Sequence, residues 1–334
     1  MKVIEFGRFG APHEVCRCID VDALGPPGAD ELVVEIAACP INPADLLTIA
    51  GTYPGPTELP ARAGIEGAGR VVALGDDITA FAVGDPVISL VRANWAERVV
   101  LKESQAIKLP AGIDMRQAAM LKANPASAHL MLDTYVGLKD GVALKDGDWV
   151  IQNAANSAVG RHVIALARAR GLHTANVVRR DALVAELLAI GVVVVDGDDL
   201  AERVATASGS APIALALDAI GGAATMRLAG CLADGGTVVN YGFLAGAPCM
   251  IDTHQAIIHG ISLTGFWLAP MIGRLPRAEI EAMYGKLAAS MVDGTIATPI
   301  EASYGLDDVG DALAHAAREH RSGKILLTPN GPIR

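Results

Sequence analysis

Between Trp149 and Arg170 the spacing of apolar residues changes from one period to another. Trp149-Val150-Ile151-Gln152 is a short apolar run that predicts a buried strand; beyond a turn of small residues, Val159, Val163, Leu166 and Ala167 recur at helical spacing. The alternation then continues. His173 to Val178, Val192 to Val195, Ile213 to Asp218, Thr237 to Tyr241 and Ser262 to Phe266 are predicted as further strands, with intervening helices such as residues 182 to 190. Apolar runs of this continuity suit strands covered on both faces, and parallel neighbours are joined by right-handed crossovers. The pattern predicts an α/β fold, a doubly wound, six-stranded parallel sheet that takes its ligand beyond the carboxyl ends of the strands.

The flanking segments follow another rhythm. Residues 1 to about 120 break into short strands punctuated by Gly and Pro: Met1 to Phe6, Glu31 to Ala38, Gly69 to Leu74, Pro86 to Val91 and Ala96 to Leu101. That predicts a small barrel-like β domain. Between these strands, Cys39 to Gly67 reads as a long irregular segment, and such loops inside a compact domain are often functional. Asp114 to Met131 has helical spacing, interrupted at Asn124-Pro125. After residue 270 come a helix (Arg277 to Met291), a strand (Thr298 to Tyr304), a helix (Asp307 to Glu319) and a last strand (Gly323 to Leu327). This tail is expected to return to the first domain, which gives boundaries of 1–122 with 270–334 for the β domain and 123–269 for the sheet domain.

Composition narrows the partners. With 334 residues, 51% hydrophobic, the chain can bury the cores of two domains. A formal charge of −10, without a cluster of Lys and Arg, argues against nucleic acid or an anionic membrane, because both require cationic groups to neutralise phosphate. No apolar run reaches the ~18 to 20 residues of a membrane span, and MKVIEFGRFG has the pattern of neither a signal peptide nor a transit segment. A soluble, cytoplasmic protein is expected. The five cysteines, at 16, 18, 39, 231 and 249, form no C-x-x-C pair and read as reduced, packed thiols.

The order strand, turn, helix carries the candidate chemistry. A dinucleotide's pyrophosphate needs backbone N–H groups at close approach and the positive end of a helix, which accounts for small side chains at Ala154, Ala155, Ser157, Ala158 and Gly160. The G-x-G-x-x-G fingerprint is absent, and tight packing of helix on strand would explain the turn as well. The next strand adds weight. It ends at Arg179-Arg180-Asp181, where a NAD site would carry an acidic residue for the ribose hydroxyls. Planar guanidinium donors suit a 2′-phosphate instead, so the reading is NADPH; a solvated arginine pair ahead of a helix is the plainer alternative. Tyr241-Gly242 and Phe266-Trp267 should lie along the same crevice.

Further motifs widen the comparison: Asn42-Pro43-Ala44-Asp45 followed by Ala50-Gly51-Thr52-Tyr53-Pro54, Gly64-Ile65-Glu66-Gly67, Ala123-Asn124-Pro125, Ile151-Gln152-Asn153-Ala154-Ala155-Asn156-Ser157, Asn176-Val177-Val178-Arg179, Phe266-Trp267-Leu268 and Ser322-Gly323-Lys324. As a set they resemble the medium-chain dehydrogenase/reductase superfamily over essentially the whole chain. Within it they resemble the zinc-free trans-2-enoyl thioester reductases of the mitochondrial enoyl reductase group. The resemblance implies a GroES-like β-barrel domain beside the Rossmann sheet, and a homodimer formed by pairing of sheet edges. It implies Tyr53 as the group that donates a proton or stabilises the enolate. It implies cofactor contacts at Asn124, Asn156, Ser157, Ala158, Val159, Gly160, Arg179, Arg180, Tyr241, Gly242, Phe243, Leu244, Phe266, Trp267, Leu268 and Lys324. Two departures stand out: Ala158 replaces a glycine, and Arg179-Arg180-Asp181 replaces Arg-Asp-Arg.

No metal is expected. Ile65 occupies the place of a zinc-ligating histidine and an alkyl chain cannot ligate, and the superfamily's four-cysteine lobe is missing. Cys39 then reads as a packed thiol, and Asp45 and Glu66 as groups that hold loop structure. Reduction of a conjugated C=C needs a hydride at the β carbon, stabilised charge on the thioester oxygen and a proton at the α carbon; a phenol with pKa near ~10 keeps its proton at neutral pH. The expected activity is NADPH-dependent reduction of a small-molecule 2-enoyl thioester. A quinone oxidoreductase of the same superfamily, or a dinucleotide-binding protein without turnover, are the alternatives. Tyr53 as a turn aromatic, Phe266 and Trp267 as core, Asn124 as a helix boundary and Lys324 as solvated surface are the plainer readings of those residues.

Overall fold

The computed structural model describes residues 1–135, 144–187 and 191–333. Lys2–Phe6 (β1) pairs antiparallel with Cys16–Asp20 (β2), and Ile4 and Phe6 meet Cys18 and Cys16 across that ladder. Glu31–Pro40 (β3) is the long central strand. Leu32, Val34 and Ile36 follow the two-residue strand period into a core shared with Ile4, Phe6, Trp95 and Leu101. Ala61–Arg62 (β4) joins the other side of β1, while Ala68–Leu74 (β5), Pro86–Ser89 (β6), Arg98–Lys102 (β7) and Ala106–Lys108 (β8) complete the curled sheet around β3, which pairs with both β5 and β7.

The segment from Cys39 to Gly67 is more ordered than its Asn, Pro and Gly content predicts. It contains a helix, Pro43–Ala50, as well as β4. Pro43 takes the first helical position, where no N–H is needed, and the Asp45 carboxylate accepts the Asn42 N–H at 2.8 Å. Gly51 ends the helix in the left-handed region at φ 81°. The helical run predicted from Asp114 to Met131 is two helices, Met115–Ala118 and Asn124–Thr134, and Asn124-Pro125 begins the second.

Six strands follow: Trp149–Gln152 (β9), His173–Val178 (β10), Val192–Val195 (β11), Ile213–Asp218 (β12), Thr237–Asn240 (β13) and Ser262–Gly265 (β14). All pair in parallel, in the order β11-β10-β9-β12-β13-β14, so the doubly wound sheet is present. Ile151, Ala175, Val177, Ala216 and Val238 are at most 1% exposed, as strands covered on both faces require. The strand order reverses at β9, between β10 and β12, and that switch point is where ligands bind in such sheets. The helix predicted over residues 182 to 190 is seen as Ala182–Leu187; 188–190 lie outside the described residues.

In the tail, a helix (Arg277–Val292) leads to Ile300–Tyr304 (β15), a helix (Val309–Ala316) and Lys324–Leu327 (β16). β15 starts at Ile300 because the Gln117 side chain takes both polar groups of the Thr298 backbone, at 2.9 and 3.0 Å. β16 pairs with β3, Leu326 opposite Pro40 and Leu327 opposite Cys39, so the tail completes the first sheet. Two units result, Met1–Ala123 with Leu275–Arg334, and Asn124–Arg274. Among the described residues no helix is long and apolar enough to cross a membrane.

Candidate functional site

In the second unit, the turn after β9 is held by backbone geometry that few side chains allow. Ala154 has φ 48°, in the left-handed region. The Ala155 N–H donates to the Val177 carbonyl of β10 at 3.3 Å, and Ser157 caps the helix Ala158–Arg168 by accepting the Gly160 N–H at 3.1 Å. A Cβ at Gly160 would stand 2.6 Å from the Ala155 carbonyl oxygen and 2.8 Å from that of Ala154, so only glycine fits there. The Gln152 amide, fully buried, donates to the Gly160 carbonyl and to Asn176 Oδ1, both at 2.9 Å, tying helix, β9 and β10 together. The first turn of this helix carries no acidic residue, which leaves its positive end to an anion.

Around that helix end the sheet gathers most of the expected residues. Asn156, Ser157, Ala158 and Val159 are all partly exposed on the turn. Arg179 is exposed and Arg180 half-buried just beyond β10. The Arg180 Nε is buried, and no acceptor among the described residues reaches it. A buried guanidinium nitrogen without an acceptor fits the 2′-phosphate of NADPH. Tyr241 and Gly242 follow β13, with Phe243 and Leu244 exposed beyond them. Burial raises the Tyr241 phenol well above its ordinary pKa. Phe266 follows β14, is buried and packs edge-on against Tyr135 at 6.2 Å, while Trp267 is exposed and Leu268 opens the short helix Leu268–Ile272. Asn124, 8% exposed, is the first residue of its helix.

One buried group at this end of the sheet went unnoticed in the sequence. Asp218 closes β12 and is fully buried. Its Oδ1 accepts from Asn153 Nδ2 at 2.6 Å and from the N–H groups of Ile220 and Gly221 at 2.9 and 3.1 Å. Its Oδ2 accepts from the Thr225 hydroxyl at 2.6 Å and Asn240 Nδ2 at 2.9 Å. Burial works to raise the Asp218 pKa, yet these hydrogen bonds together hold it below the usual carboxylate range.

The other expected residues belong to the first unit. Tyr53 lies half-buried in the loop that follows the helix Pro43–Ala50, two residues after Gly51. Lys324, expected to reach phosphate or ribose, is 7% exposed on β16 and its Nζ donates to Asn42 Oδ1. Asn42 Nδ2 in turn donates to Glu66 Oε1 at 2.7 Å, and Glu66 Oε2 accepts the Ala123 N–H at 2.8 Å. Asp45 accepts the Ile65 N–H at 2.8 Å in addition to that of Asn42. Burial pushes Asp45 up to about 7 and raises Glu66, and it lowers Lys324 to about 8. Lys122, lowered by burial to about 8, holds the Ile65 and Val91 carbonyls at 2.6 and 2.9 Å. Cys39, buried, donates its thiol hydrogen to the Asn94 carbonyl at 2.9 Å. Asp45 and Glu66 are thus committed to backbone N–H groups and amides.

Comparison with known proteins gives a concordant result. The alcohol dehydrogenase GroES-like domain family matches residues 28–111, and the zinc-binding dehydrogenase family matches residues 158–287. A Caenorhabditis elegans protein named mitochondrial enoyl-[acyl-carrier-protein] reductase is 37% identical over 321 residues, covering 93% of this chain and 90% of the relative. Among solved structures, a quinone oxidoreductase from Pseudomonas syringae pv. Tomato DC3000 is 26% identical, with a TM-score of 0.84 and coverage of 98% of this chain and 99% of the other. The complex of Etr1p, a Candida tropicalis protein, with NADP and crotonyl-CoA shares the fold at 24% identity, a TM-score of 0.83 and coverage of 98% and 99%. The relatives' names place them in mitochondria, which overturns the cytoplasmic expectation drawn from residues 1 to 10.

Proposed function

Because this chain belongs to the enoyl thioester reductases of the medium-chain dehydrogenase/reductase superfamily, we propose that it reduces the C=C bond of a trans-2-enoyl thioester with NADPH. It is an oxidoreductase of CH–CH groups that uses a nicotinamide dinucleotide. When bound, NADPH supplies the hydride for the β carbon. The observation that carries the choice of NADPH is the buried Arg180 Nε without an acceptor among the described residues. With Arg179 beside it, this guanidinium holds the 2′-phosphate. The positive end of the helix Ala158–Arg168 and the backbone of Asn156 to Gly160 hold the pyrophosphate, with Ser157 fixing the turn by its cap.

Tyr53 is the acid: its phenol gives a proton to the α carbon or a hydrogen bond to the negative thioester oxygen. The reaction proceeds without zinc. Ile65 offers no ligand atom, and among the described residues no three His, Cys, Asp or Glu side chains are grouped so that they could hold a metal ion. The working assembly is a homodimer. The test follows NADPH oxidation by absorbance with crotonyl-coenzyme A and with a simple quinone, each repeated with NADH. Fast turnover of the thioester with NADPH is expected. The 26% identical quinone oxidoreductase favours a second reading, quinone reduction, and turnover of the quinone alone would select it.

A further inference from the structure

The sheet unit holds a buried carboxylate to which the reading above gives no role. Asp218 lies on β12, next to the switch point, and five neutral donors reach it from three strand ends and the helix Ala223–Ala229. Two of those donors belong to side chains that also hold backbone. Asn153 accepts the Ala219 N–H at 2.7 Å and stands immediately before Ala154, where the phosphate turn begins. Asn240 reaches the Gly242 carbonyl at 2.9 Å and stands immediately before Tyr241. The segment that follows β13 is laid onto the end of β12 and the segment that follows it by three backbone bonds: Tyr241 N–H to the Asp218 carbonyl at 2.9 Å, Leu244 N–H to that of Ala219 at 3.2 Å and Ala245 N–H to that of Ile220 at 2.9 Å. Gly242 permits that approach, since a Cβ there would stand 2.7 Å from the Ala219 oxygen.

We propose that Asp218 is a positioning residue for the nicotinamide dinucleotide, an inference that rests on the NADPH reading above. Its carboxylate fixes the rotamers of Asn153 and Asn240, and through them the separation of the phosphate turn from the turn at Tyr241 to Leu244. Only an acceptor on both oxygens can do this. An amide in its place would turn an NH2 toward converging donors and release one of the two asparagines. The hydrogen bonds that keep Asp218 ionised keep it an acceptor at neutral pH.

The test measures NADPH and NADH dissociation constants by the cofactor's own fluorescence, with Tm beside each, for Asp218→Asn, Asn240→Ala and Thr225→Val. Thr225 donates to Asp218 from the helix side and holds neither turn. Its loss should lower Tm and leave the NADPH Kd within about twofold, because the groups facing the dinucleotide keep their bonds. Asp218→Asn and Asn240→Ala should each weaken NADPH about tenfold or more. NADH should weaken by the same factor, since Arg179 and Arg180 stand at the end of β10 outside the network. An unchanged NADPH Kd in Asn240→Ala, which keeps the Asp218 carboxylate, overturns the proposal. So does a loss of affinity in Thr225→Val equal to that in Asn240→Ala, which would make the network a matter of stability alone. Failure of the unmodified protein to bind NADPH overturns the parent reading, and this inference with it.

Discussion

Tyr53 and Asp45 sit eight residues apart on the same helix-and-loop segment and differ in burial. Tyr53 is half-buried, and the proposed reaction assigns its phenol the role of acid. Tyr53→Phe should lower kcat by ~10²- to 10⁴-fold, the range of general acid help, while NADPH affinity stays put; full turnover of a saturating enoyl thioester would make Tyr53 structural. Asp45 is 2% exposed, with Glu66 and Lys324 as its charged neighbours. Its folded pKa of about 7 lies above the ~3.9 of an unfolded chain. Between those values the native state binds the proton that the unfolded state has released. Stability from this group is therefore complete below about pH 4 and is lost as pH rises through about 7, by at most ~1.4 kcal/mol per pH unit. Denaturant melts at several pH values should show Asp45→Asn with a shallower fall than the unmodified protein between about pH 5 and 7; equal slopes would count against the buried acid.

At the scale of elements, Gly160 shows how a single position can govern a turn. Both atoms that its Cβ would meet are backbone carbonyl oxygens, neither of which can swing aside. Gly160→Ala should cost about 1 to 3 kcal/mol in chemical denaturation, as overpacking does, and should lose NADPH binding; a fully stable variant with normal affinity would show that the turn can relax. The central strands β9, β10, β12 and β13 were legible because most of their residues are buried and so read as short apolar runs; at the edges, β11 is legible from its four valines, although only Val194 is buried. The helix Pro43–Ala50 was legible in principle, since Asn42-Pro43 with Asp45 three residues beyond Asn42 is a start signal. Its Pro and Gly neighbours made it read as loop. β2 escaped because Cys16-Arg17-Cys18-Ile19-Asp20 takes its strand character from pairing with β1. Asp218 escaped for a different reason: its role depends on Asn153, Thr225 and Asn240, which only the folded sheet brings to one carboxylate. Lys324 likewise reads as a surface cation until β16 is seen to carry it into the interior beside Asn42.

For the whole molecule, the edge strands of the six-stranded sheet among the described residues bear on how two copies of the chain would meet. The sheet ends at β11 on one side and β14 on the other, and an unprotected edge is a template for another strand. β11 runs out into Asp196, Asp198 and Asp199, of which Asp196 is paired with Arg227 and Asp199 with Arg203. β14 carries no charged residue, and the two residues Ile257 and Ile258 ahead of it are 71% and 65% exposed. Pairing β14 with β14 of a second copy about a two-fold axis would continue the hydrogen-bond ladder through both sheets, the self-complementary contact that a closed dimer needs. Sedimentation equilibrium at micromolar concentration should then give twice 34.4 kDa. Thr264→Asp would set like charges near one another across the two-fold, a destabilising arrangement on paired strands, and should shift the protein toward 34.4 kDa with its far-UV spectrum intact. A monomer before any substitution would leave β14 a bare edge, and a dimer indifferent to Thr264→Asp would move the contact to another face.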